Sequence, residues 1–139
     1  MDYTLCFAPV FIRKRAFKQL QPGDLLLLGM AYLETFLWSK EAGYTKVEML
    51  PSDGRCQIVQ QGHTMEEETE KIHSKKYKYV KIALGTLQSS TLETGHQLET
   101  ASIDYQHVTL YAEERHIADG KLVVVDDEIA VQITEMAAT

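Results

Sequence analysis

Apolar and polar positions alternate with a period of two along much of the chain. The clearest case closes it. From Ile129 onward, Ile129, Val131 and Ile133 share one face, and Ala130, Gln132 and Thr134 share the other. That is the pattern of a half-buried strand. Before it, Leu122 to Val125 is continuously apolar, and Asp126, Asp127 and Glu128 interrupt the run. Two β-branched runs joined by a short acidic turn predict a hairpin. Its first strand is apolar on both faces and so demands cover on both sides.

Upstream, Tyr3 to Ile12 is strand-like, with Pro9 pointing to an edge or a bulge because it has no amide to donate. Arg13 to Leu20 is short and basic. Gln21-Pro22-Gly23-Asp24 is a turn, and Leu25 to Leu28 reads as a buried apolar run. Gly29 to Trp38 fits helix or strand; its Tyr, Thr, Phe and Trp favour strand. Glu41-Ala42-Gly43 is a loop. Thr45 to Leu50 and Arg55 to Gln60 are strands around a Pro51-Ser52-Asp53-Gly54 turn.

The composition then shifts. Gly62 to Lys76 carries Glu66, Glu67, Glu68 and Glu70, then Lys71, Lys75 and Lys76, with Met65 and Ile72 as its strongly apolar residues. This predicts a polar linker with at most a helical turn or two, Glu67 and Lys71 standing at the favourable i,i+4 spacing. The expected organisation is a first unit over 1–62, a linker over 63–76 and a second unit over 77–139. The second unit opens with a strand at Tyr77 to Gly85. A connection follows at Ser89 to Gly95, with a helical turn capped by Ser89 or Ser90. His96 to Ala101 and His107 to Tyr111 are further strands, and Glu113-Glu114-Arg115 is a turn.

The halves echo each other. Leu20-Gln21-Pro22-Gly23 in the first matches Leu92-Glu93-Thr94-Gly95 in the second, with the same order of elements around it. Duplication of a small β unit explains this order most simply. A unit of that size alone has a thin core, so the two should pack together or share strands.

Net charge is −6, which argues against a nucleic-acid partner, since that function needs a basic footprint. The cluster Arg13, Lys14, Arg15 and Lys18 reads as a solvated face. Cys6 and Cys56 lie among apolar residues without CxxC spacing. They suit buried thiols in a reducing compartment, and a disulfide between them stays open. No signal-peptide pattern opens the sequence. No apolar segment approaches the roughly 18–20 residues that span a bilayer, so a cytoplasmic protein without membrane insertion is expected.

Catalytic chemistry finds little support. His63 and His73 fall in the polar linker. His107 and His116 flank a predicted hairpin without a third ligand at metal-binding spacing. Ser89-Ser90 near His96 lacks a nucleophile elbow, and Glu113-Glu114 reads as a solvated turn. Phosphate-binding glycine loops are absent from the sequence. The expectation is a non-enzymatic protein with no cofactor and no metal. A small hydrolase or metal-dependent enzyme is the alternative from another class.

The second half resembles the SPOA (surface presentation of antigens) domain of flagellar motor switch proteins and type III secretion rings. The residues that carry the likeness are Val80-Lys81-Ile82-Ala83-Leu84-Gly85, Leu92-Glu93-Thr94-Gly95 and Val108 to Leu110. The closing run from Ala118-Asp119-Gly120 through Leu122-Val123-Val124-Val125 to Ile133-Thr134-Glu135-Met136 carries it most specifically. The first half, at Phe17 to Leu28, resembles the divergent SPOA copy that precedes it in secretion ring proteins. It departs from the pattern in a long segment before Val47 and in lacking a valine-rich closing hairpin after Gln60.

The resemblance implies a mostly β fold of two small intertwined SPOA-type units packing as a pseudo-dimer. It implies a structural adaptor of the type III secretion cytoplasmic ring, the sorting platform of a virulence system. Such an adaptor docks the ATPase–stator complex and helps recruit export cargo at the cytoplasmic face of the apparatus. A flagellar switch-ring protein is the alternative. Implied partners are the stator or ATPase-regulator protein, and a longer ring protein or another copy of the chain. The partner-binding residues carried over are Val123, Val124 and Val125. Ring proteins of this kind have a larger N-terminal region, so the chain is expected to be a C-terminal fragment or a short product of the same gene.

Overall fold

The computed structural model describes residues 1–28, 34–63 and 76–137. It is mostly β. The strands are β1 (Asp2–Arg13), β2 (Leu25–Leu27), β3 (Glu34–Ser39), β4 (Gly43–Leu50), β5 (Arg55–His63), β6 (Tyr77–Gln88), β7 (Gln97–Glu99), β8 (Val108–Ala112), β9 (Arg115–Val125) and β10 (Glu128–Met136), with one short helix, α1 (Lys14–Lys18). They form one open antiparallel sheet of 10 strands in the order β2-β10-β9-β8-β6-β1-β3-β4-β5-β7.

This order has an internal logic. Replacing β1 to β5 by β6 to β10, and the reverse, returns the same order read backwards. The long strands β1 and β6 pair at the centre. Each half then sends its second strand to the far edge of the other half, β2 onto β10 and β7 onto β5.

The Leu-x-x-Gly turns make this exchange. Gly23 donates its amide to the Ile133 carbonyl at 2.7 Å, and Gly95 donates to the Ile58 carbonyl at 2.7 Å. Both glycines have φ of 94°, a left-handed value that side chains disfavour. Ile133 and Ile58 answer by donating to the carbonyls of Asp24 and His96 at 2.8 and 2.9 Å. After three strand residues, Leu28 donates to Ile129 at 3.2 Å and Thr100 donates to Gly54 at 2.9 Å. The repeat in the sequence is thus a repeat of docking contacts, each made on the opposite half.

The sheet gathers its inner face around one core, helped by Phe17 of α1 and by Leu20, Leu92 and Ile103 from the connections. Leu5, Leu37, Ile58, Ile82, Leu98, Leu110, Val131 and Ile133, drawn from both halves and from the β7 edge, belong to a single buried cluster. Gly120 sits where β9 approaches β10 closely. A Cβ there would lie 2.6 Å from the Gln132 carbonyl oxygen and 2.7 Å from Val131 Cγ1.

Several expectations change. Pro9 lies in a central strand, and the β1–β6 register shifts between Phe7 and Val10, so it marks a bulge and not an edge. Arg13 to Leu20 contains α1, whose cations Lys14, Arg15 and Lys18 are exposed. The Ser89 connection forms no helix, because its hydroxyl is committed to a turn. It donates to the Thr91 carbonyl at 2.6 Å and accepts from the Thr91 amide at 3.3 Å. Leu25 to Leu28 is not a buried run: Leu25 and Leu27 face outward, and Leu26 and Leu28 face inward. The segment predicted as a strand from Gly29 is β3 from Glu34, and 29–33 lie outside the described residues. The linker residues 64–75, His73 among them, also lie outside the described residues.

Candidate docking surface

The β9–β10 hairpin holds the three valines. Cross-strand partners point to the same face, so the ladder assigns each one. Leu122 pairs with Val131, and Val131 pairs with Leu26. This row faces inward, with Val131 fully buried and Leu26 and Leu122 packed on the core. One residue along, Val123 pairs with Ala130, and Ala130 pairs with Leu27. This row faces outward. Ala130 is fully buried although it lies outside the core cluster. A small residue between Val123 and Leu27 makes the floor of a shallow apolar trough.

Val124 pairs with Ile129. Ile129 still packs against the core, but Val124 has run past its rim and is 73% exposed. Val123 and Val125 are half-buried. The valine run therefore presents apolar surface on both sides of the hairpin tip. The cover expected on both faces is only partial, because the hairpin projects beyond the strands that would supply it.

Leu25 and Leu27 extend this surface, at 48% and 60% exposure. They come from the other half of the chain and arrive through the exchanged strand β2. Reading the sequence missed them, although a signal was available. The repeat aligns Leu25-Leu26-Leu27 with Gln97-Leu98-Glu99, and its outer positions are polar there. At the opposite edge, Gln97 and Glu99 are exposed around a buried Leu98. There, Arg55 contacts Gln97 at 3.4 Å, and Gln97 contacts Gln57 at 3.4 Å. The two edges share a backbone plan and differ in surface chemistry: one apolar, one polar.

A second apolar cluster lies on the outer face of the central strands. Cys6 and Phe36 are fully buried there, flanked by Trp38, Tyr44 and Tyr79. Phe36 and Tyr44 meet edge-on at 5.5 Å. Lys81, buried at 7% exposure, places Nζ 3.6 Å from the Trp38 ring centre, 5.6 Å from Tyr111 and 5.8 Å from Tyr44. Burial lowers its pKa from the ordinary lysine value. Burial also pushes the Cys6 thiol up to about 12, against a smaller lowering by Lys81. Both cysteines are buried and free. Cys6 is thus a neutral core thiol, and Lys81 is a cation held by aromatic faces.

His107 and His116 stand at opposite ends of β8, each with its own carboxylate. His107 Nδ1 is 2.7 Å from Asp104, and His116 Nε2 is 3.0 Å from Asp119. The hydrogen bond from His107 holds the Asp104 carboxyl below its usual range. Glu113 lies in a tight turn and bonds Lys78 at 2.7 Å, which lowers its carboxyl pKa in the same way. Among the described residues, no group of three or more His, Cys, Asp or Glu gathers as a metal site would require. Among the same residues, no helix is long and apolar enough to cross a membrane.

The chain is mostly β, with an apolar hairpin tip beside an edge strand that comes from the other half. Residues 86–138 match the family model described as the type III flagellar switch regulator (C-ring) FliN C-terminal domain. The match is consistent with an SPOA-type domain of the flagellar switch and type III secretion C-ring family over this stretch. The match takes in β7 to β10 and the whole valine run. No curated protein matches the chain.

Proposed function

We propose that this chain is a non-enzymatic adaptor of a type III secretion cytoplasmic ring, at the cytoplasmic face of the apparatus. It docks the stator that accompanies the export ATPase and helps to recruit cargo. The family match supports a C-ring or switch-type structural role in a flagellar or secretion system. The two-unit reading, 1–62 and 77–139, favours the secretion ring over the flagellar switch, because that ring protein carries tandem copies. Exchange of β2 and β7 supports reading the units as an intertwined pseudo-dimer. Other copies of the chain, or a longer ring protein, are the expected neighbours.

The observation that carries the docking role is the exposed apolar tip: Val124 at 73%, with Val123 and Val125 beside it. Such a patch on a small acidic protein marks a surface for another protein. The test is titration of the candidate stator segment into the whole chain by calorimetry. Val124→Asp and Val123→Asp should each weaken binding by about tenfold or more, with circular dichroism unchanged. Unchanged affinity with a retained fold contradicts the docking role, and loss of the fold assigns the valines to the core.

A further inference from the structure

We infer that the free edge of β2 is a strand-addition site. Its occupant is an extended segment of another protein, apolar at alternate positions and basic at the end that meets the β9–β10 turn. The inference rests on reading this end of the sheet as the docking surface, and it adds a mode of binding and two residues.

The ladder fixes which backbone groups are free. Asp24 accepts from Ile133, and Leu28 donates to Ile129. Antiparallel pairing alternates, so the amides and carbonyls of positions 26 and 28 turn toward β10, as does the Asp24 carbonyl, while the Asp24 amide donates to Gln21 at 3.1 Å. Leu25 and Leu27 turn theirs away. Since β2 ends the sheet, those groups have no strand partner among the described residues. An edge with unpaired donors and acceptors is a template for another strand.

Space and side chains agree with the backbone. A groove of about 520 Å³ runs beside this edge, with Ala16, Gln19 and Leu20 on one wall and Asp24, Leu25 and Leu26 on the other. Its place beside the free edge leaves room for an added strand. Alternate side chains of an added strand would lie on the outer face beside Leu25, Leu27 and Val123. The Leu27 end of β2 borders the exposed carboxylates Asp126, Asp127 and Glu128, which favour basic residues in the partner. The equivalent edge at β7 offers Gln97 and Glu99 instead, so the apolar part of this recognition belongs to one edge.

The test uses the whole chain and two short synthetic peptides with leucine at alternate positions, one with lysine between them and one with glutamate. The lysine peptide should bind more tightly. Hydrogen exchange should show Leu25 and Leu27 amides fast in the free protein and slow in the complex, with Leu28 and Ile133 slow in both. Leu27→Ala removes the side chain, while Leu27→Pro also removes the outward amide; the proline variant should lose about tenfold more affinity. Leu25→Pro provides the same comparison if Leu27→Pro fails to fold. Equal losses in the alanine and proline variants overturn strand addition and leave side-chain docking standing. No loss in either removes the docking surface as well. Equal binding of the two peptides, or of neither, overturns the stated partner chemistry. A dimer in sedimentation that Leu27→Pro converts to monomer overturns the foreign occupant in favour of a second copy.

Discussion

Lys81 is a charge where the sheet is otherwise apolar. Its amine lies over Trp38 at 3.6 Å, a contact that offsets part of the desolvation without abolishing it. Burial lowers its folded pKa below the ordinary lysine value, so the unfolded chain holds this proton more tightly. The resulting penalty on folding is full below the folded pKa. It shrinks as pH rises through the folded pKa toward the unfolded value. Lys81→Met should therefore stabilise the protein at neutral pH by roughly 1 kcal/mol. In urea titrations, its advantage over the parent should narrow above neutrality as pH climbs. The hairpin turns hold another local strain. Asp126 and Asp127 have φ of 50° and 66°, as a two-residue turn of this type requires, and glycine meets that need without a Cβ clash. Asp127→Gly should raise stability by about 0.5–1 kcal/mol, set by relief of the left-handed strain against the entropy of glycine.

At the scale of elements, β2 and β7 do the same structural work with different outer residues. Leu26 and Leu98 both pack inward, while Leu25 and Leu27 stand where Gln97 and Glu99 stand in the other half. Leu26→Ala should cost about 2 kcal/mol or more, as removal of packed core atoms does. Leu27→Ala should change stability by less than about 0.5 kcal/mol, as exposed substitutions do. Equal losses in thermal or urea melts would remove the outward assignment of Leu27. The sequence disclosed β10 and the β9–β10 hairpin because strict alternation and an acidic turn encode them locally. It also disclosed the Leu-x-x-Gly turns, since φ of 94° at Gly23 and Gly95 leaves a glycine signature. It did not disclose the facing of β2. Four consecutive leucines carry no alternation, and which of them face out depends on pairing with β10, more than a hundred positions further along the chain.

For the molecule as a whole, the strand order makes the two halves depend on each other. Each completes its edge with the other's short strand, and Ile58 and Ile133 hold the exchanged turns. Residues 77–139 expressed alone should not sediment as a stable folded monomer, because β10 would lose β2 and β6 would lose β1; a stable monomer would refute strand exchange as a requirement for folding. The same exchange brings Leu25 and Leu27 of the first half beside Val123 and Val124 of the second, so the proposed docking surface draws on both halves. No local reading of either half could show it.

The central claim is that the partner binds at the β2–β10–β9 end of the sheet and not at its polar counterpart. Methyl-detected NMR of the whole chain during titration with the stator segment tests this most directly. The predicted result is shifts concentrated at Leu25, Leu27, Val123 and Val124, with Leu98 and Met49 at the other edge unmoved. Shifts centred on Leu98 and Met49, or on the outer face around Cys6 and Phe36, would contradict it.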